Sequence, residues 1–134
     1  MREDYPDVAH IAFGDLFLED VRAYRERLLA GSGFNPVFPI WGADTAKLAR
    51  SFISDGFSAR LVCVDTTQLD ASFAGREFDG ELLADLPATA DPCGERGEFH
   101  TFVSSGPGFR RTAGYTTGER LLREQRFMYF DLIQ

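Results

Sequence analysis

The chain has 134 residues, 44% hydrophobic and 13% aromatic, which is enough apolar material for one ordinary domain and too much for a disordered chain. Its 14 basic against 21 acidic residues give a net charge of −7, a field that repels phosphate backbones and argues against nucleic acid as a partner. No apolar run is long enough for a membrane span, Met1-Arg2-Glu3-Asp4 is too polar to open a signal peptide, and Cys63 and Cys93 do not make a disulfide framework, so a soluble cytoplasmic protein is expected.

In chain order, Val8 to Phe13 is a nearly continuous apolar run, predicted as a strand buried on both faces, as in a parallel sheet. Val21, Tyr24, Leu28 and Leu29 recur at helical spacing between Glu19 and Ala30, and Gly31 and Gly33 stop that helix. Within Asn35 to Trp41, Val37-Phe38-Pro39-Ile40 reads as a second short strand closed by Gly42, and Asp44 as the N-cap of a helix that runs through Ile53 and ends at Gly56. Arg60 to Asp65 is a third buried strand. The alternation predicts an α/β architecture with parallel pairing. A short helix is predicted over Gly80 to Asp85, stopped by Pro87. A loop over Pro87 to Gly97, a strand over Phe99 to Ser104, a turn at Gly106-Pro107-Gly108 and a strand pair ending in Phe127 to Ile133 complete the chain.

The densest polar stretch is Asp91-Pro92-Cys93-Gly94-Glu95-Arg96-Gly97-Glu98-Phe99-His100-Thr101. Gly94 and Gly97 let the backbone turn sharply. Strand alternation after Gly97 would place Glu98 and His100 on one face and Phe99 on the other, and a carboxyl beside an imidazole can orient an amine or move a proton. Two other readings stand beside this one: a Gly-rich turn with solvated acids, and a zinc site made of Cys93, Glu95, Glu98 and His100, whose spacing matches no standard zinc pattern. Gly14-Asp15 ends the first strand, where open α/β sheets place their ligands, although such a pair is often only a turn. Trp41-Gly42 has the same position after the second strand, with packing the plainer role for Trp41. Cys63 and His10 read as core or edge residues, Arg76-Glu77 and Asp79 as a solvated loop, and Arg22, Arg25 and Arg27 as a solvated helix face.

Phe13-Gly14-Asp15-Leu16, Phe38-Pro39-Ile40-Trp41-Gly42, Phe73-Ala74-Gly75-Arg76-Glu77-Phe78-Asp79 and the Asp91 to Thr101 stretch, followed by Gly106-Pro107, stand in the order seen in the diphthamide-synthesis family. From about Val8 to Gly108 the chain resembles that family of diphthine–ammonia ligases and bacterial relatives, part of the PP-loop group of adenine-nucleotide alpha hydrolases. The resemblance implies an ATP-dependent amidation: a carboxylate is activated as an adenylate, pyrophosphate leaves, and ammonia displaces AMP. It implies ATP with magnesium as the cofactor of a complete member, and a protein or small-molecule carboxylate as substrate. Glu98-Phe99-His100-Thr101 stands where the ligases have Glu-Tyr-Glu-Thr, so the chain is closer to the bacterial branch and the diphthine substrate is left open. The family's Ser-Gly-Gly-Lys-Asp-Ser phosphate loop is not in these 134 residues, whose single lysine is Lys47.

The expectation is therefore the end of a Rossmann-like parallel sheet over 1–42, followed by a small α+β substrate domain over 43–134. The chain would be a fragment, a truncated product or half of a split protein, binding no ATP tightly alone and pairing with a separate amino-terminal half or with a second copy. Glu95, Glu98 and His100 are the expected catalytic groups, with Cys93, Gly94, Gly97 and Thr101 on the substrate and Gly14 and Asp15 on the adenylate. A non-catalytic remnant that binds substrate or a partner is the rival reading.

Overall fold

The computed structural model describes residues 7–133, so the polar start Met1-Arg2-Glu3-Asp4 lies outside the described residues. The chain divides into two compact units that meet between Ala43 and Asp44.

In the first unit, β1 (His10–Ala12) and β2 (Asn35–Val37) pair in parallel, His10 opposite Asn35 and Ala12 opposite Val37, with α1 (Glu19–Leu29) between them in sequence. The expectation that the first strand is buried on both faces is corrected. Its ends are exposed and only Ile11 is half-buried. Two three-residue strands and a helix that itself has no buried residue supply too little apolar surface to cover both faces.

The second unit begins with α2 (Thr45–Ser54), whose first turn is capped by Asp44: its carboxyl accepts the Lys47 N–H at 2.9 Å. Then come β3 (Ser58–Asp65), a 3-10 turn (Ala71–Phe73), α3 (Gly80–Asp85), β4 (Phe99–Ser105), β5 (Thr116–Arg123) and β6 (Phe127–Ile133). The four strands form one sheet in the order β4-β3-β6-β5, and every pair is antiparallel. The expected parallel placement of β3 is thus corrected, because an apolar run specifies burial and not strand direction. The described residues are mixed α/β, with one parallel and one antiparallel sheet. Among the described residues no helix is long and apolar enough to cross a membrane.

The core of the second unit is built around Leu61, Val64, Leu82 and Phe99, with Phe73 and Phe78 beside them. A bulge between Leu61 and Cys63 lets β3 keep both Leu61 and Val64 in that core while Cys63 stays outside it. Antiparallel pairing brings three chain ends together: Val64 lies opposite Phe99 at the start of β4, and Asp65 lies opposite Phe127 at the start of β6. The loop before β4 and the tip of the β5–β6 hairpin therefore meet at the end of β3.

Candidate active site

The 91–98 loop folds around its own acids. Asp91 Oδ2 accepts the N–H groups of Cys93 at 3.0 Å and Glu95 at 3.1 Å, and the Asp91 carbonyl accepts that of Gly94 at 2.9 Å. Glu98 closes the loop from the other end, its carboxyl accepting from Asp91 N at 2.7 Å and from Arg96 N at 2.9 Å. Gly97 N donates to Gly94 O at 3.0 Å. Every backbone N–H from Asp91 to Gly97 is thereby engaged inside the loop. Gly94 is required here: its φ is +68°, and a Cβ would lie 2.8 Å from the Phe99 carbonyl oxygen.

Glu98 is 1% exposed and His100 is exposed, so the expected Glu98–His100 pair on one face is corrected. Glu98 precedes β4, and its side chain is drawn to the loop amides, whereas His100 lies in β4 opposite Cys63. His100 lines a shallow groove of ≈690 Å³ with Cys63, Phe102, Tyr115 and Tyr129. Thr101 follows in β4, exposed. The Cys93 thiol donates to Thr45 O at 3.3 Å, and burial, helped by Asp91 and Glu95, pushes its pKa up to about 11. It is a neutral donor at pH 7 and not a nucleophile. Burial also raises the Cys63 thiol, against a lowering hydrogen bond from Tyr129. Among the described residues no group of three or more His, Cys, Asp or Glu side chains is placed to hold a metal ion, so the zinc alternative has no ligand set.

The other flagged residues mostly build structure. Asp15 pairs with Arg25 Nε at 3.4 Å in the first unit. Arg60 donates to Gly75 O, to the Glu77 carboxyl and, at 3.2 Å, to the Tyr115 hydroxyl. Arg76 pairs with Asp85 at 2.8 Å, and Asp79 caps α3 by accepting from Leu82 N at 2.8 Å.

Four residues clustered at the end of β3 stand outside the candidates that the sequence offers. Asp65, 2% exposed at the end of β3, is gripped by Arg126, whose Nε lies 3.0 Å from Oδ1 and whose Nη2 lies 2.5 Å from Oδ2. Thr67 and Gln68 also donate to the Asp65 carboxyl. Chiefly because of Arg126, the carboxyl is held well below the ordinary carboxylate range. A depressed folded pKa contributes stability that is complete above the unfolded value of about 4 and is lost only as pH falls below it. The signal available was an acid closing an apolar strand, Val64-Asp65 before Thr66-Thr67. Its cationic partner is 61 residues away, where no local pattern points.

With this geometry in view, a family model described as the diphthamide synthase C-terminal domain matches residues 44–130. The chain belongs to that family. The match starts at the Asp44 cap and ends within β6, so it takes in the closed loop, most of the groove's lining and the Asp65–Arg126 pair. The diphthine–ammonia ligase of Schizosaccharomyces pombe is 25% identical over 120 residues, which is 87% of this chain and 20% of that protein. The chain thus spans about one fifth of the length of this curated relative.

Proposed function

We propose that this chain is the substrate-side, carboxy-terminal part of an ATP-dependent amide ligase. In the complete reaction, a substrate carboxylate oxygen attacks the α-phosphorus of ATP and pyrophosphate leaves. Ammonia or another amine then adds to the acyl carbon, AMP leaves with the bond's electron pair, and one proton is released. The observation that carries the placement is the self-closed 91–98 loop within the matched diphthamide synthase domain. A phosphate cradle needs backbone N–H groups directed at the anion. Here those from Asp91 to Gly97 are engaged by the loop's own carboxyls and carbonyls. The loop's acids also favour a cationic amine over a triphosphate. The 91–98 loop therefore does not fit the ATP phosphates, and we assign it to the acyl and amine side.

In this reading Glu98 keeps the loop in shape, Glu95 orients the incoming amine and takes its proton, and His100 and Thr101 meet the remainder of the substrate along β4. Gly14 and Asp15 remain the candidates for the adenylate side. The fully engaged loop amides and the single lysine, Lys47, also favour the rival reading, a binding module without turnover. Among the described residues β1 pairs only with β2 in its sheet, so pairing of its other edge with a second copy or a separate chain is part of the proposal.

The test is a chimera of the yeast ligase in which residues 44–133 of this chain replace the corresponding region. Ammonium-dependent AMP formation by a folded chimera, with no pyrophosphate release by the 134-residue chain alone, is expected. A folded chimera that forms no AMP would support the binding module instead.

A further inference from the structure

The hairpin tip touches the loop indirectly. Arg126 grips both oxygens of Asp65. Asp65 in turn holds the loop by two routes: its own N–H donates to Glu98 O at 2.9 Å, and Gln68 Nε2 bridges Asp65 Oδ2 at 3.0 Å and Arg96 O at 3.4 Å. Glu98 and Arg96 are the two residues whose contacts close the loop. The turn that presents Arg126 is itself strained. Glu124 and Gln125 both have φ of +53°, a left-handed conformation that costs side chains about 1 kcal/mol or more each. Residues held in such conformations gather where a side chain must be aimed.

We propose that Arg126 is a positioning residue for the 91–98 loop, acting through Asp65 and Gln68. Its guanidinium fixes the plane of the Asp65 carboxyl, the carboxyl orients the Gln68 amide, and that amide fixes the Arg96 carbonyl. The fork geometry matters, because two parallel N–H···O bonds set an orientation that a point charge does not. The backbone tie of the hairpin is independent of the side chain: Thr66 N and Oγ1 both donate to the Arg126 carbonyl, at 2.9 Å and 2.6 Å. Removing the guanidinium therefore leaves the hairpin docked and loosens only what the guanidinium orients.

The inference rests on the reading of this loop as the acyl and amine side. Its test reads loop geometry alone, so its failure leaves the ligase reading standing, and failure of the AMP assay leaves this link standing. The experiment is amide hydrogen exchange followed by NMR on the 134-residue chain, comparing Arg126→Gln and Gln68→Leu with the unmodified protein. Both variants are expected to speed exchange at Glu95, Arg96 and Gly97 about tenfold, with Leu61 and Val64 in the core changed less than about twofold. Arg126→Lys, which keeps the charge without the fork, should recover part of the protection. The Gln68 side-chain amide resonances should move in Arg126→Gln. Unchanged loop exchange in both variants, or a rise that only matches Leu61 and Val64, would overturn the proposal.

Discussion

The two units hold themselves together by different means. In the second, eleven buried side chains from Ala49 to Phe99 form one cluster, with Leu61, Val64, Ala74 and Leu82 fully enclosed. In the first, Leu16 is the one buried hydrophobic among the described residues, and α1 has no buried residue. Surface stacking takes the place of a core there. The Arg22 guanidinium lies 4.7 Å from the Phe38 ring centre and 4.8 Å from that of Trp41, and Arg25 lies 5.1 Å from that of Phe13. Each such contact is worth about 0.5–1 kcal/mol at an exposed site, against about 2–5 kcal/mol for a large core side chain. The folding free energy of this chain is therefore concentrated in residues 44–133, the part that carries the closed loop.

The largest expected effect tests that concentration. Leu61→Ala, at a position 0% exposed in the central half of the sheet, should cost about 3–4 kcal/mol. Leu28→Ala in α1, at a position 57% exposed, should cost less than about 0.5 kcal/mol. Chemical denaturation midpoints give both values, and similar costs would mean that the first unit has a core after all.

A second pair of substitutions divides two of the loop's three acids by role. Glu98→Ala leaves the Asp91 and Arg96 N–H groups inside the loop without an acceptor, at a cost of about 2–3 kcal/mol. Glu95→Ala keeps the Glu95 backbone N–H that closes the loop on Asp91, and should cost less than about 1 kcal/mol. Thermal melts of the two variants decide it, and equal losses would erase the distinction between the acid that holds the loop and the one proposed to face the substrate.

The smallest effect is stabilising. Gln125→Gly relieves a side chain at φ +53° and should add about 0.5 kcal/mol, because relief of the left-handed strain exceeds the added chain entropy. A lowered denaturation midpoint would show that the Gln125 side chain contributes more than its strain costs.

The sequence was most legible where local rules act alone. Glu19 to Leu29 follows from helical spacing, the helix from Thr45 from its Asp44 cap, and Gly80 to Asp85 from its stop before Pro87. The strand at Phe99 and the closing strand pair follow from alternation and turn residues. Strand direction was not legible, since Leu61-Val62-Cys63-Val64 is equally apolar in a parallel and an antiparallel sheet. In the candidate site the glycines and acids of 91–98 stand out as a local cluster. The inward turn of Glu98 does not, because it depends on hydrogen bonds to Asp91 and Arg96 rather than on strand alternation. The Arg126 contact is set by the hairpin's register and has no local signature at all.

The comparison between Glu95 and Glu98 also supplies the most direct measurement of the whole account. In the folded yeast-ligase chimera carrying residues 44–133, Glu95→Gln keeps the size of the side chain and removes its charge and its capacity to take a proton. The account predicts that ammonium-dependent AMP formation falls about a hundredfold in kcat, with the melting temperature unchanged, as expected for a lost proton acceptor. Turnover equal to that of the unmodified chimera would contradict the assignment of the 91–98 loop to the acyl and amine side.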